Sequence, residues 1–395
     1  MTAAATTTAA TLSWHEQGQE RSALWRSESM ATPPRRVQCV DDTLNADAAY
    51  RLACEGTALL WRGDFHNARQ LLLALQRRLA RTPRKGDKGG QGGKGGKAPP
   101  AKPFPEAFHL HRLAQAQRAR VLSMLLIELA GDYSVALRRA PDWRAACTEA
   151  WGPVPGQALV MPLRQLLGAN GAHEWRKKGV PIPALGGAHI HPHYGVFSPV
   201  RGEYVELLAQ APLPPACALA FDIGVGTGVL SAVLARRGVA RIVATDQDAR
   251  ALACAQDNLQ RLGLAAQVQL LHTDLFPPGL APLIVCNPPW LPGRASSAIE
   301  RAVYDEDSAM LRGYLAGLKA HLAPGGEGWL ILSDLAEHLG LRPRAQLLAW
   351  IEAAGLRVLA RHDTRAQHPK AQDAADPLHA ARSAELTSLW RLGVL

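Results

Sequence analysis

Cysteine is scarce in this chain, and its positions are scattered. None of the six cysteines belongs to a C-x-x-C pair; they are Cys39, Cys54, Cys147, Cys217, Cys254 and Cys286. Paired, closely spaced cysteines are what redox motifs and zinc sites require. The pattern therefore indicates reduced, structural thiols, as is usual in a cytoplasmic protein.

Long apolar runs are also absent. No stretch reaches the roughly 18 apolar residues that a membrane-spanning helix needs. The segment Met1 to Leu12 is rich in Ala and Thr, and it has neither the basic start nor the apolar core of a secretion signal. We therefore expect no membrane span, and we predict a disordered leader over residues 1–40.

The remaining composition is that of a globular protein with an uneven charge. Of the 395 residues, 47% are hydrophobic and 20% are charged, and this length allows about two or three domains. Residues 1–190 hold 26 Lys and Arg against 15 Asp and Glu, a net charge of +11, whereas residues 191–395 hold 18 against 19, a net charge of −1. The basicity lies entirely in the N-terminal half.

A mostly helical accessory region is predicted over residues 41–185. Leucines recur at helical spacing within Asn67 to Arg81 and again within Glu106 to Leu137, where Leu122, Leu125, Leu126 and Leu129 form one apolar stripe. A flexible Gly/Lys/Pro linker, residues 83–104, interrupts the region. Such a basic linker can bind RNA or ribosomes through phosphates, or it can be a solvated spacer.

The most informative stretch begins with a glycine turn. A buried strand, Ala218 to Ile223, leads through Gly224, Gly226 and Gly228 into a predicted helix that starts at Val229. Glycines let the backbone turn tightly and approach a ligand, and the helix N-terminus behind them offers unpaired N–H groups. The G-x-G-x-G spacing is one residue short of the dinucleotide fingerprint, which disfavours an NAD enzyme.

Polar residues follow the next strands in the same way. Asp246 ends the strand Arg241 to Thr245, where nucleotide-binding folds place an acid on ribose hydroxyls. Asp274 and Leu275 follow the strand Val268 to His272, and Asn287-Pro288-Pro289-Trp290 follows the strand Leu283 to Cys286. Strands alternate with helices as far as a last strand, Leu386 to Leu392, so residues 190–395 are predicted to form a doubly wound α/β domain that ends in an antiparallel edge hairpin.

This combination of motifs resembles the class I S-adenosylmethionine (SAM) methyltransferases that carry an N-P-P-aromatic motif. The resemblance implies a Rossmann-like fold with SAM as methyl donor and no metal. It places Asp222 opposite the methionine amino group, the Gly224 to Gly228 turn with Thr227 around the methionine and ribose, and Asp246 with its neighbour Gln247 at the ribose. Asp274 and Leu275 would border the adenine, and Asn287 would face both cofactor and acceptor.

The N-P-P-aromatic motif suits methyl transfer to a planar NH2 nitrogen. The Asn287 side-chain oxygen and a proline carbonyl can accept its two N–H bonds and orient the nitrogen. Pro288 and Pro289 stiffen the loop, and Trp290 offers a flat face to a base or an amide. The possible acceptors are a glutamine amide, adenine N6, guanine N2 and cytosine N4.

The acceptor class stays open between RNA and protein. The G-V-F-S segment before Pro199 resembles ribosomal RNA guanine-N2 methyltransferases with a small domain, which often have Phe where this chain has Trp290. Proline followed by an acid, here Glu203, resembles release-factor and ribosomal-protein glutamine methyltransferases, which usually have Tyr there. Tyr304-Asp305-Glu306-Asp307 is expected to form an acidic surface unsuited to RNA. The predicted partner is RNA, the ribosome or a translation protein; a small-molecule methyltransferase and a non-catalytic SAM-binding module are the alternatives.

Two further segments allow either a functional or a structural interpretation. His189, His191 and His193 alternate as metal ligands on a strand would, but no acid or cysteine nearby in the sequence completes a set, so an extended approach to the catalytic domain is favoured. Arg201 and Glu203 could close over SAM, or they could simply start the predicted helix Tyr204 to Ala209.

Overall fold

The computed structural model describes residues 10–29, 31–80, 104–297, 299–365, 372–374 and 376–395. It divides into two compact units, residues 1–103 with 109–171 and residues 104–108 with 172–395. The predicted basic linker covers residues 83–104. All of it except Phe104 lies outside the described residues. The second unit begins earlier than the expected start of the catalytic domain at residue 190, because the helix Leu163–Lys178 runs on past residue 171.

The N-terminal unit is built on a six-stranded sheet with the order β1-β2-β6-β5-β4-β3. Its strands are β1 (Thr11–Glu16), β2 (Gln19–Trp25), β3 (Arg36–Val40), β4 (Thr57–Trp61), β5 (Leu125–Leu129) and β6 (Leu159–Pro162). The associated helices are α1 (Ala46–Cys54), α2 (Phe65–Ala80), α3 (Phe104–Leu122), α4 (Arg144–Trp151) and α5 (Leu163–Lys178), of which α3 and α5 extend into the second unit. Strands β3, β4 and β5 are parallel neighbours.

Two predictions for this half are wrong. The expected disordered leader contains β1, β2 and β3 within residues 11–40, and Leu12 and Trp14 on β1 are buried. The expected helix Glu106 to Leu137 ends at Leu122, and residues Leu125–Leu129 form β5 instead. A short continuous apolar run fits a buried strand as well as it fits a helix. The accessory region therefore has the expected helices, but around a sheet that the sequence did not reveal.

The C-terminal unit confirms the predicted doubly wound α/β domain. Its seven-stranded sheet has the order β11-β10-β9-β12-β15-β17-β16. The strands are β9 (Leu219–Ile223), β10 (Arg241–Asp246), β11 (Val268–His272), β12 (Ala281–Cys286), β15 (Leu322–Ser333), β16 (Leu356–Arg365) and β17 (Leu386–Val394). The first five in this order of the sheet are parallel, and β17 is antiparallel to both β15 and β16, which is the predicted edge hairpin.

Helices cover both faces of this sheet. The long ones are α6 (Glu203–Gln210), α7 (Val229–Arg236), α8 (Ala249–Arg261), α9 (Ala309–His321) and α11 (Arg344–Ala353). Neighbouring strand residues point into opposite cores, as the period of two requires: Ala220 packs with α6, α7 and α8, whereas Phe221 packs with α9 and α11. Because the middle of the sheet is buried on both faces, its central strands β9, β10 and β12 are mostly apolar.

Shorter elements complete the unit. β7 (Val180–Pro181) pairs with β8 (His189–Ile190), and β13 (Leu291–Pro292) pairs with β14 (Tyr304–Asp305). Two short helices, α10 (Leu335–His338) and α12 (His379–Ala384), and three 3-10 turns, Pro183–Leu185, Ile299–Ala302 and Glu306–Ser308, lie in the connections. Within the described residues, no helix has the length and apolarity needed to cross a bilayer.

Candidate active site

A glycine turn connects β9 to α7 at the carboxyl edge of the sheet. Gly224, Gly226 and Gly228 have φ angles of +78°, +53° and +80°, a region that side chains other than glycine rarely adopt. At Gly224 a Cβ atom would also lie 2.9 Å from Cε of Met310. The turn therefore keeps its backbone accessible, and the first N–H groups of α7 lie behind it.

Asp246, the last residue of β10, holds this turn in place. Its Oδ2 accepts a hydrogen bond from the Gly226 N–H at 3.2 Å, and its Oδ1 accepts one from the Asp248 N–H at 2.9 Å. Burial raises the pKa of its carboxyl group. A desolvated carboxylate with remaining lone pairs at the end of this strand suits a pair of ribose hydroxyl donors.

The turn, Asp246 and the motif after β12 surround one cavity of about 670 Å³. That is within the range of about 300–1,000 Å³ that is usual for small-molecule sites. Most of the sequence-predicted residues line it: Gly224, Gly226, Thr227, Asp246, Gln247, Asp274, Leu275, Asn287, Pro289 and Trp290. The carboxyl ends of β9, β10, β11 and β12 thus bring four separate motifs together.

Three predicted residues are not on the wall of the cavity. Gly228 lies where α7 begins, against Ala255, and Pro288 is buried behind the loop. Asp222 is buried beneath the glycine turn, where its Oδ2 accepts a hydrogen bond of 2.6 Å from the Ser231 hydroxyl. Its Oδ1 is also buried, and it has no hydrogen-bond partner in the described part of the chain. A carboxylate oxygen without a hydrogen-bond partner, next to the glycine turn, can accept a hydrogen bond from a cationic group of a ligand.

The motif after β12 presents an uncommitted amide. Asn287 follows the last residue of the strand, and its side chain makes no hydrogen bond with any described residue. The Trp290 ring meets Phe197 edge to face, with centroids 5.9 Å apart. Buried Arg342 donates to the Trp290 carbonyl at 3.2 Å and to the Ser308 hydroxyl at 3.1 Å, and so ties the loop to the start of α9.

Strained backbone completes the far side of the cavity. Leu275 has a φ of +57°, which is uncommon for a leucine. Its carbonyl accepts a hydrogen bond of 2.5 Å from the Thr245 hydroxyl on β10. The Asp274 side chain is exposed at the rim. This arrangement fixes the turn that follows β11 and leaves a carboxylate on the surface of the cavity.

The three alternating histidines contact protein groups. His189 and His191 bond through Nδ1 to the carbonyls of Lys178 and Arg176, at 3.0 and 2.6 Å, and His193 Nε2 lies 3.1 Å from Asp257. Among the described residues, no group of three or more His, Cys, Asp or Glu could hold a metal ion. The segment is packed against α8, where Asn258 bonds both to His191 and to the Thr227 carbonyl.

The prediction of an acidic surface over Tyr304 to Asp307 is wrong at Asp305. Asp305 is buried, and its carboxylate accepts hydrogen bonds from the N–H groups of Met310 and Leu311 at 3.1 and 3.2 Å. It satisfies unpaired donors of the first turn of α9. Glu306 and Asp307 alone are exposed there.

A family model for the methyltransferase small domain matches residues 187–340. The release factor glutamine methyltransferase of Thermosynechococcus vestitus is 32% identical over 205 residues, which cover 45% of this chain and 69% of that protein. The match includes most of a relative's length. This chain belongs to the class I SAM-dependent methyltransferases of the N-P-P-aromatic group.

Two other relatives match this chain over shorter segments. The release factor glutamine methyltransferase of Cereibacter sphaeroides is 34% identical over 160 residues, covering 39% of this chain and 54% of that protein. The tRNA1(Val) (adenine(37)-N6)-methyltransferase of Shewanella loihica is 34% identical over 147 residues, covering 34% and 60%. This chain thus spans about half to two thirds of the length of these relatives.

Two residues of this site, Met310 and Arg342, are not evident from the sequence. Met310, Arg342 and Phe197 reach the site from α9, from the segment before α11 and from the segment before α6. Arg201 and Glu203 line a small cavity together with Trp290. Arg201 bonds to Glu385 at 3.3 Å, and Glu203 is the first residue of α6. Phe197, Arg201 and Glu203 carried a signal in the sequence, whereas Met310 and Arg342 did not.

Burial of Asp222 gives the stability of this protein a testable dependence on pH. Desolvation raises the pKa of this carboxyl from 3.8 to about 6. A pKa that is higher in the folded state means that stability falls as pH rises from about 4 to 6 and stays reduced above that. Asp222→Asn should therefore raise the free energy of unfolding at pH 8, by at most about 3 kcal/mol, with a smaller difference at pH 4.5. Urea unfolding at both pH values measures this, and a less stable variant at pH 8 would contradict it.

Proposed function

We propose that this protein transfers the methyl group of SAM to a planar NH2 nitrogen of a macromolecule of the translation apparatus. The observation that carries the proposal is the position of Asn287. Its uncommitted amide lines the same cavity as Asp246 and the glycine turn, next to the aromatic face of Trp290. A group that can orient an NH2 nitrogen is therefore beside the groups that can hold a methyl donor.

The residues around the glycine turn fit SAM. Asp246 would accept hydrogen bonds from the ribose hydroxyls, and Asp222 would meet the methionine amino group with its orphaned Oδ1. A Cβ atom at Gly224 would lie against Met310 and occupy part of the cavity. Glycine at this position therefore leaves room for the ligand. Asp274 at the exposed rim, with Leu275, would border the adenine. Thr227 and Gln247, which also line the cavity, would complete the contacts with methionine and ribose.

The loop after β12 would hold the acceptor. When bound, SAM supplies an electrophilic sulfonium methyl, which the acceptor nitrogen attacks as the carbon–sulfur bond breaks. An NH2 nitrogen conjugated to a carbonyl or ring is a poor nucleophile because its lone pair is delocalised. Asn287 and a proline carbonyl would accept its N–H bonds, align the lone pair and stabilise the positive charge that develops. The surplus proton then leaves to solvent.

The translation apparatus is proposed from relatives and from charge. The relatives described above are named for a release factor and for a tRNA adenine, so protein and nucleic acid acceptors both occur among them. Residues 1–190 carry a net charge of +11, and a basic half can attract a particle rich in phosphate. We propose RNA, the ribosome or a translation protein as the partner.

Transfer of labelled methyl groups tests the proposal. The purified full-length protein is incubated with methyl-labelled SAM and a lysate of cells that lack it, and RNA, protein and small molecules are then separated. We expect label in one RNA species or one protein of the translation apparatus. Label confined to small molecules would contradict the macromolecular acceptor. SAM binding with no labelled product would indicate a non-catalytic SAM-binding module.

A further inference from the structure

A second, smaller cavity adjoins the acceptor side of the site. Its volume is about 20 Å³, and Asn287, Trp290, Glu203 and Ser333 are on its wall. This is little more than one water molecule needs, about 10–15 Å³. Asn287 and Glu203 both line this small space beside Trp290, so both side chains face the position of an acceptor edge that enters it.

Glu203 is the uncommitted acceptor of hydrogen bonds in this cavity. Its Oε1 is buried and has no hydrogen-bond partner within the described residues. Two neighbouring polar side chains are engaged: Ser333 and Arg201 both donate to buried Glu385, at 2.6 and 3.3 Å. The start of α6 offsets part of the cost of a buried carboxylate, but the unpaired oxygen still lacks a donor.

We propose that Glu203 determines acceptor specificity by accepting an N–H bond next to the NH2 group held by Asn287. The inference rests on the proposed function, because it assigns the acceptor of that same site. In adenine and cytosine the ring nitrogen next to the NH2 carbon bears a lone pair. In a glutamine amide the neighbour is a carbonyl oxygen. In all three cases a hydrogen-bond acceptor of the substrate would face the acceptor oxygen of Glu203. Two acceptors repel each other, so these substrates are disfavoured.

Guanine alone among the four acceptors has the required pattern. Its N1–H lies beside the N2 amino group, so one edge presents donors both to Glu203 and to Asn287. Trp290 provides an aromatic face for the base, and such stacking contributes about 1–3 kcal/mol per base in nucleic-acid complexes. The burial of Asp305 removes one of the surface charges that would repel RNA. The acceptor assigned by this geometry is a guanine base exposed from its stack.

Identification of the methylated residue tests this assignment. RNA and protein labelled in the transfer experiment are hydrolysed completely, and the labelled products are separated. We expect N2-methylguanosine. Label in N6-methyladenosine, N4-methylcytidine or N-methylglutamine would overturn the role of Glu203 while upholding the proposed function. No labelled macromolecule at all would overturn both.

Substitution of Glu203 tests the contact itself. Glu203→Gln should lower kcat/KM by about 5- to 10-fold, because a neutral amide oxygen accepts the N1–H bond more weakly than a carboxylate oxygen, and should leave the Kd for SAM within about twofold. The matched control is Glu206→Gln, because Glu206 is exposed on the same helix and should tolerate the change. Equal activity of the Glu203 variant and the control would overturn the proposal.

An altered acceptor separates recognition from a structural role. Replacing the target guanine by 2-aminopurine keeps the NH2 group and removes the N1–H. The unmodified enzyme should then lose about 10- to 100-fold in kcat/KM, whereas Glu203→Gln should lose much less, because its amide can donate to the bare N1. If Glu203 only stabilised α6, both enzymes would lose the same factor, and that result would overturn the proposal.

Discussion

Asn287→Ala should bind SAM almost normally and transfer methyl groups on the order of 10²- to 10³-fold more slowly, the usual effect of removing one preorganised polar group from an active site. The side chain has no hydrogen-bond partner among the described residues, so its loss should disturb neither the fold nor the glycine turn. The acceptor nitrogen would lose the oxygen that orients it. Single-turnover transfer and calorimetric SAM binding measure the two effects separately.

Thermal unfolding is the control for this variant. We expect the Tm of Asn287→Ala to stay within a degree or two of the unmodified protein, because no bond is lost. Full turnover on the true acceptor would contradict the proposed chemistry. Loss of SAM binding in parallel with activity would show instead that Asn287 holds the cofactor rather than the acceptor.

Asp246→Ala should weaken SAM binding by at least about 100-fold, since hydrogen bonds to a charged group contribute about 1.5–3 kcal/mol each. Two effects combine here. The ribose hydroxyls lose their acceptor, and the Gly226 N–H loses the carboxylate that holds the glycine turn at 3.2 Å. Because burial raises the pKa of Asp246, the charged carboxylate is costly to the fold, and its removal offsets part of the stability that is lost with the hydrogen bonds to Gly226 and Asp248.

Asp274→Ala is the matched control for the ribose assignment. Asp274 lines the same cavity but is exposed at its rim, so its replacement should weaken SAM binding only about tenfold or less. Calorimetric titration of both variants gives the comparison. A larger loss for Asp274→Ala than for Asp246→Ala would reverse the proposed orientation of the cofactor.

The architecture of the C-terminal unit could be predicted because its signals are local. The apolar runs at Ala218 to Ile223 and Val268 to His272 have the length of buried strands, and glycine and Asn-Pro mark where strands end. Since parallel strands place their carboxyl ends at one edge, the motifs that follow them had to meet there. The observed cavity brings Gly226, Asp246 and Asn287 together as that rule requires.

The rest depends on tertiary packing that a single sequence does not express. Leu125–Leu129 has the leucine spacing of a helix, yet it is a buried strand between two others. Asp305 is part of an acidic run, but it bonds to the start of α9. Arg342 and Glu203 reach the site from distant segments, and no spacing in the sequence connects either of them to Asn287.

The atom that receives the methyl group is the most direct test of the central claim. Methyl-labelled SAM, the purified protein and its macromolecular acceptor are incubated, and the labelled product is identified by mass spectrometry after complete hydrolysis. Our account predicts a methyl group on a planar NH2 nitrogen, a base amino group or an amide. A methyl group on oxygen, carbon or sulfur would contradict it.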